Sequence, residues 1–194
     1  MRTYFFVRMI IRWLFFLMRW RITGLEKLPA QGPVILAINH ESFWDPVLVC
    51  CALPRQVRFM AKESLFRVPI LGPALRLFGT FPVKRGHGDT SAIRNSLKVL
   101  QDGQVLGVFP EGTRSKNGEM QKALPGVVLL MEKSKAVVLP VKVMGGKKLL
   151  TQGWHKIQVI VGDPVQIEQL QPPEDVENRR EWIAGRIMLE IGKL

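Results

Sequence analysis

The chain has 194 residues, of which 47% are hydrophobic, so it is apolar enough for one folded domain and too apolar for a disordered chain. Its 28 Lys and Arg residues against 16 Asp and Glu give a net charge of +12, which favours nucleic acid, anionic lipid or a phosphorylated substrate as partner. The only cysteines, Cys50 and Cys51, are adjacent and badly placed to pair, which indicates free buried thiols in a reducing compartment. No Cys/His cluster has zinc-like spacing, so we expect no metal.

Residues 1–23 predict a helix that lies in a membrane interface. The segment TYFFVRMIIRWLFFLMRWRI is apolar, but its longest charge-free run, residues 13–18, is far shorter than the about 18–20 residues of a membrane span. On a helix, Arg8, Arg12 and Arg19 fall on one side, from which they would snorkel toward phosphates while aromatic rings enter the acyl region. The alternative is a helix buried in the protein with one solvated stripe.

Residues 24–194 alternate strands and helices in the way that predicts an α/β domain. We expect a mixed, mostly buried sheet of about six or seven strands covered by helices. The predicted strands are PVILAIN, VRFMA, GTFPVKR, QVLGVFP, AVVLPVKV and HKIQVIVGDPV. The predicted helices are DPVLVCCAL, PILGPALRLFG, DTSAIRNSLKVLQDG, PGVVLLMEKSK and DVENRREWIAGRIMLEIGKL.

His40 and Asp45 stand at the end of the predicted strand PVILAIN and the start of the next helix. The carboxyl ends of strands are where sites collect in α/β sheets. A strand–turn–helix connection can bring the two side chains together, and a carboxylate that orients an imidazole gives a general base for a hydroxyl group. In the alternative interpretation Asp45 only caps the helix and His40 only satisfies a backbone carbonyl.

The segment VLGVFPEGTRS, residues 105–115, is a predicted buried strand that runs into a polar loop. Gly112 lets the backbone approach a ligand closely, and Arg114 offers a planar fork suited to phosphate. Glu111 is placed to orient that arginine or to bind a substrate hydroxyl. The alternative is an ordinary solvated loop of a basic protein.

Cationic residues also follow two other predicted strands. Lys62 ends the strand VRFMA, and Lys84 and Arg85 end the strand GTFPVKR. Either segment alone is compatible with a solvated loop. Together with Arg114 they make three cationic strand ends on one predicted sheet edge, which favours a site for a phosphorylated substrate.

The two motifs resemble those of the glycerolipid acyltransferase family. NHESFWD, residues 39–45, resembles its N-H-x-x-x-x-D motif, and FPEGTRS, residues 109–115, resembles its F-P-E-G-T-R-S motif, in the same order and with agreeing separation. GTFPVKR and VVLPVKV resemble, more weakly, the blocks between and after them. The resemblance is greatest to the 1-acylglycerol-3-phosphate acyltransferases and covers about residues 24–165.

This resemblance implies transfer of a fatty acyl chain from acyl-CoA or acyl carrier protein to the sn-2 hydroxyl of lysophosphatidic acid, which makes phosphatidic acid without a further cofactor. His40 is then the general base, and Asp45 orients it. The residues that the resemblance assigns to the acceptor's glycerol phosphate are Arg85, Glu111, Gly112, Thr113 and Arg114, with Lys62 as a further candidate. We expect a peripheral or monotopic protein on the cytoplasmic face of the cell membrane, held to its anionic surface.

Three alternatives belong beside this interpretation. The charge suits a nucleic-acid-binding protein, but no RNA-recognition or helix-turn-helix pattern stands out, and we expect no nucleic acid as partner. An inactive membrane scaffold is argued against by the His–Asp pair and the Glu-Gly-Thr-Arg loop. The third alternative keeps the acyl transfer but changes the acceptor to glycerol 3-phosphate or another lysophospholipid.

Overall fold

The computed structural model describes residues 2–17, 20–84, 90–115, 117–148 and 157–194. Within these ranges the predicted α/β class is confirmed, with six α-helices and a seven-stranded sheet. The elements are, in chain order, α1 (Arg2–Leu17), β1 (Arg21–Thr23), β2 (Val34–Ile38), α2 (Asp45–Ala52), β3 (Val57–Lys62), α3 (Leu71–Leu77), β4 (Phe81–Val83), α4 (Thr90–Gln101), β5 (Val105–Val108), α5 (Gly126–Ser134), β6 (Val137–Met144), β7 (Gln158–Val161) and α6 (Arg179–Lys193).

The sheet has the strand order β1-β7-β6-β2-β5-β3-β4. Strands β2 to β6 all run in one direction, because β2 pairs in parallel with β5 and β6, and β3 with β5 and β4. β7 runs antiparallel to β6, and β1 runs parallel to β7. The carboxyl ends of β2, β3, β4, β5 and β6 therefore lie together, at what we call the carboxyl edge of the sheet.

The side chains of the central strand β2 are buried on both faces of the sheet. Its side chains alternate: Val34, Leu36 and Ile38 belong to the cluster that contains α2, whereas Ile35 and Ala37 belong to the cluster with α4, α5 and α6. All five are fully buried. A strand buried on both faces reads as a continuous apolar run, and this is why VILAI shows no alternation of polarity.

Helix α1 packs on the outside of the α2 layer, with the side that carries Tyr4 turned inward. Tyr4 is 2% exposed, and its ring meets Phe78, just after α3, with centroids 5.6 Å apart. One turn further along the helix, Arg8 is half-buried, and its Nε atom is enclosed. Arg12 is exposed, and Arg19 lies outside the described residues.

The other side of α1 is apolar and open. Its exposed large side chains are Phe5, Phe6, Met9, Ile10 and Trp13. The helix ends at Leu17, and residues 21–23, which we grouped with it, form the strand β1 beside β7. In the described part of the chain, no helix combines the length and the hydropathy that crossing a bilayer requires.

Candidate active site

His40 and Asp45 meet at the carboxyl edge, where the chain turns from β2 into α2. The Nδ1–H of His40 donates to Oδ2 of Asp45 over 3.0 Å. Because a carboxylate can only accept, this bond places the proton on Nδ1 and leaves the lone pair of the neutral ring on Nε2. The Asp45 side chain is 2% exposed and that of His40 17%, so the carboxylate is enclosed while the ring keeps access to solvent.

The loop between the two residues fixes the carboxylate. Oδ2 of Asp45 also accepts from the backbone N–H groups of Glu41, at 2.8 Å, and Ser42, at 2.7 Å. The N-cap position of α2 is Trp44, and no side chain caps the helix there. Asp45 therefore does not act as a helix cap: its carboxylate turns back over the loop and faces the histidine.

Gly146, just beyond β6, closes the other side of the carboxylate. A Cβ atom at this position would lie 2.8 Å from Oδ1 of Asp45 and 3.1 Å from Cβ of Ser42. Oδ1 is buried and has no hydrogen-bond partner within the described ranges. The space beside the carboxylate therefore admits only glycine. Our sequence interpretation missed this residue, and the only sign of it was the Gly-Gly pair after a predicted strand.

The second motif holds the backbone of His40 from both sides. The His40 N–H donates to Oε1 of Glu111 at 2.8 Å, and the N–H of Ser115 donates to the His40 carbonyl at 2.8 Å. Oε2 of Glu111 accepts from the N–H of Gln121 at 3.0 Å. Glu111 is 5% exposed, so its carboxylate is enclosed among these backbone groups rather than presented to solvent.

Asn39 fixes the same turn from the β6 side. Its Nδ2 donates to the Val143 carbonyl at 3.0 Å, and its Oδ1 accepts from the Val143 N–H at 2.7 Å. The side chain thus pairs with a strand backbone as another strand would, and it is 1% exposed. From the sequence alone, Asn39 has no role beyond its place in the first motif. A buried asparagine directly after an apolar strand is the signal that could have singled it out.

The remaining candidates among the described residues are exposed and lie at the carboxyl edge. Lys62 is the last residue of β3, which is two strands from β2 and hence about 10 Å away at the usual strand spacing. Gly112 adopts φ 71°, a left-handed conformation that suits glycine. Thr113 bonds weakly to Gln121 at 3.4 Å.

Arg114 is exposed, and no hydrogen bond or ion pair holds its guanidinium within the described ranges. Arg85 lies outside the described residues. The structure therefore bonds His40 to both Asp45 and Glu111. Among the described residues, no hydrogen bond joins Lys62, Thr113 or Arg114 to these three.

Burial governs the ionisation of other groups near this layer. Desolvation, and then the negative charge of Asp45, raises the pKa of Glu41. Desolvation also raises the pKa of Cys51 to about 12 and the pKa of Cys50 still further. Both thiols are free and buried, as expected, and neither is a thiolate near neutral pH.

A metal centre or a ligand pocket would be another kind of candidate site. No three His, Cys, Asp or Glu side chains of the described residues come together in a way that could hold a metal ion. A cavity of about 300 Å³ lies beside β4, with Phe66, Arg76 and Pro82 in its wall. Neither His40 nor Asp45 lines it, so the cavity is separate from the pair of residues that can do chemistry.

Comparison with known proteins gives consistent matches. A family model described as Acyltransferase matches residues 19–144. The chain is 32% identical over 149 residues to a 1-acyl-sn-glycerol-3-phosphate acyltransferase of Bacillus subtilis, a match that covers 75% of this chain and 73% of the relative. It is 31% identical over 196 residues to the protein of the same name from Streptococcus pneumoniae, covering 95% and 71%.

The fold is similar to one that has been solved. The crystal structure of the 1-acyl-sn-glycerophosphate acyltransferase PlsC from Thermotoga maritima superposes with a TM-score of 0.68. The match covers 91% of this chain and 72% of that one, at 23% sequence identity. At this identity the likeness concerns the arrangement of strands and helices alone.

Proposed function

The chain belongs to the acyltransferase family, and from this premise we propose that it transfers a fatty acyl group from a thioester donor to the sn-2 hydroxyl of 1-acylglycerol 3-phosphate. The observation that carries the proposal is the bond between His40 and Asp45, at a sheet edge where the second motif grips the His40 backbone. Relatives that are 32% and 31% identical to this chain over the aligned residues carry the name of that activity.

In the proposed reaction Nε2 of His40 takes the proton of the acceptor hydroxyl. The oxygen attacks the thioester carbonyl, the new ester bond forms, and the carbon–sulfur bond breaks. The carrier leaves as a thiolate and takes up the proton from the His40 imidazolium, which restores the neutral ring. Asp45 keeps the ring in the tautomer that presents Nε2, and its charge stabilises the imidazolium during the transfer. General base catalysis of this kind contributes about 10²–10⁴ to a rate.

In this proposal the cationic residues of the carboxyl edge orient the acceptor by binding its phosphate. Lys62 lies about two strand spacings from β2, a distance that a glycerol phosphate and a lysine side chain can span together. A phosphate held there would place the acceptor hydroxyl near His40, which turns an encounter into a positioned reaction. Arg85 and Arg114 are the further candidates for this role, as the family resemblance implies.

We also place the protein on an anionic membrane surface, by way of α1. The exposed face of this helix carries two phenylalanines and a tryptophan, Phe5, Phe6 and Trp13, which suit the boundary between headgroups and acyl chains. A surface of net charge +12 adds attraction to anionic lipid. Both the lipid substrate and the product would then stay in the bilayer beside the site.

The test is a thiol-release assay with palmitoyl-CoA, and with a palmitoyl carrier protein as second donor. Acceptors are 1-acylglycerol 3-phosphate, glycerol 3-phosphate, lysophosphatidylcholine and none. We expect release that depends on 1-acylglycerol 3-phosphate. Release that needs only glycerol 3-phosphate, or lysophosphatidylcholine, would assign another acceptor. Release without any acceptor would indicate a thioesterase and contradict the proposal.

His40→Ala tests the base. We expect the rate to fall by about 10²–10⁴ while the melting temperature and liposome binding stay unchanged, because the ring is at the surface of the site and not in the core. His155→Ala, which lies outside both motifs, is the matched control and should keep its activity. Substantial turnover by His40→Ala would remove His40 from the mechanism.

A further inference from the structure

The imidazole of His40 lies in a column of rings that the dyad alone does not require. Its ring stacks on that of Phe109, with centroids 3.9 Å apart and planes 20° apart. Phe109 stacks in turn on Phe59, with centroids 5.6 Å apart and planes 17° apart. Phe109 is the first residue of the second motif, but the family resemblance gave it no role.

The column rests on the buried sheet. Phe59 is 3% exposed and belongs to the core cluster that contains β2 and α2. It pairs across the sheet with Gly107 of β5. A Cβ atom on Gly107 would lie 2.3 Å from Cε1 of Phe59, so the Phe59 ring lies directly over the glycine backbone. Gly107, Phe59, Phe109 and His40 therefore form one continuous column from the sheet to the site.

The bond to Asp45 restrains the imidazole ring without fixing its plane. A hydrogen bond tolerates a range of lengths and angles, and the torsion between Cβ and an aromatic ring is broad, so the ring can still turn somewhat while the bond persists. Such a turn moves Nε2, the atom that would receive the substrate proton. A flat ring 3.9 Å away restricts this turn and covers one face of the imidazole.

We propose that Phe109, supported by Phe59, is a positioning residue that fixes the plane of the His40 ring and leaves only its other face and Nε2 open to the acceptor. The proposal rests on the proposed acyl transfer, because the position of Nε2 matters only if His40 acts as base. Phe109 acts through His40 and needs no contact with the substrate. Its loss should therefore lower kcat and leave KM for the acceptor unchanged.

The kinetic test compares Phe109→Leu, which removes the ring and keeps an apolar side chain, with Phe109→Tyr, which keeps the ring. We expect kcat of the leucine variant to fall at least about tenfold at unchanged KM, since a misplacement of about 1 Å can cost about 100-fold. The tyrosine variant should stay within about threefold of the unmodified protein. Phe66→Leu, a phenylalanine outside the column, is the matched control and should keep its kcat.

Nuclear magnetic resonance measures the stack without reference to activity. The Phe109 ring current should shift the Cε1–H signal of His40 upfield, assigned by its absence in His40→Ala. That shift should persist in Phe109→Tyr and disappear in Phe109→Leu. This reading on the unmodified chain and the tyrosine variant keeps the proposal testable where the leucine variant fails to fold.

Two results would overturn the proposal. One is an unchanged kcat of Phe109→Leu, whether or not its KM rises, and the other is the absence of a ring-current shift in the folded protein. Failure of the proposed function looks different. In that case the unmodified protein transfers no acyl group to any acceptor while the shift of the His40 signal is still present.

Discussion

Both carboxylate oxygens of Glu111 accept hydrogen bonds from backbone N–H groups, those of His40 and Gln121. The family resemblance assigns this residue to the glycerol phosphate of the acceptor, where two negative groups would face each other. In the structure its charge instead fixes the peptide that carries the candidate base. At the scale of single residues, the second motif therefore holds the first in place. Measurement can distinguish a Glu111 that anchors His40 from a Glu111 that contacts the acceptor.

For Glu111→Gln we expect a loss of stability of about 1–3 kcal/mol, because one buried N–H then faces an amide group that donates. The rate should fall through kcat, since His40 loses its anchor, while KM for the acceptor changes little. Thermal melts and steady-state kinetics measure the two effects. Glu174→Gln, at an exposed loop position, is the control. A raised KM with an unchanged melting temperature would instead place Glu111 on the acceptor.

Glu41 gives a prediction about pH. Burial and the neighbouring Asp45 charge raise the pKa of Glu41, so the folded protein holds this proton more tightly than the unfolded chain. Ionisation of Glu41 then costs stability as the pH rises through its raised pKa, and costs nothing below the ordinary value of about 4.5. We expect Glu41→Gln to raise the melting temperature at pH 8 and to have little effect at pH 4. Equal shifts at both pH values would contradict this assignment.

At the scale of secondary-structure elements, the positions of the strand ends determine which residues come into contact. His40, Phe109 and Gly146 each lie within two residues of the end of β2, β5 and β6, and these three strands are neighbours with β2 in the middle. Since parallel neighbours lie about 4.8 Å apart, residues just past their carboxyl ends come within contact distance. The helix that follows β2 then brings Asp45 back over the turn.

Helix α1 offers a prediction at this scale. Phe6 and Trp13 are 60% and 62% exposed, so replacing both with serine should leave the packed side, with Tyr4 and Arg8, in place. Full burial of one such side chain in lipid contributes about 1.5–3 kcal/mol to binding. We therefore expect the affinity for anionic liposomes, measured by sedimentation, to fall at least about tenfold.

Leu189→Ser is the matched control for this variant, because Leu189 is an apolar residue of α6 that is 54% exposed on another helix. It should bind the liposomes as the unmodified protein does. Undiminished sedimentation of the Phe6→Ser/Trp13→Ser protein would show that α1 is not the membrane contact.

At the scale of the whole molecule, one edge of the sheet carries the candidate site, and bonds at the opposite edge hold the loops before its strands together. At the edge opposite the site, the Arg55 guanidinium donates to the carbonyls of Pro29, Gly32 and Gly103, over 2.9, 2.6 and 2.8 Å. It thereby ties together the loops that precede β2 and β5. The two strands that carry the site are thus fixed at one end, while the residues that can react lie at the other, as is usual for α/β sheets.

Much of this architecture could be predicted, because it is written in local patterns. The strands β2 to β7 and the helices α2 to α6 all fall on predicted segments, and the family model confirms the resemblance drawn from the two motifs. The strand β1 was missed because three residues show no periodicity, and its pairing with β7 depends on residues far along the chain. The side of α1 that packs on the protein was not predicted either, since a helix that is apolar nearly all round does not show which side packs.

By itself, the sequence determined the α/β class and the family, and it singled out the His–Asp pair that we propose as base and orienting carboxylate. Only the tertiary structure decided what surrounds that pair. Glu111 reaches His40 from 71 positions away and Val143 reaches Asn39 from 104, and the ring of Phe109 and the bare backbone of Gly146 complete the site. Hydrophobic period and motif spacing are local properties that a short window contains. These contacts depend instead on the strand order, which sets β5 and β6 on either side of β2.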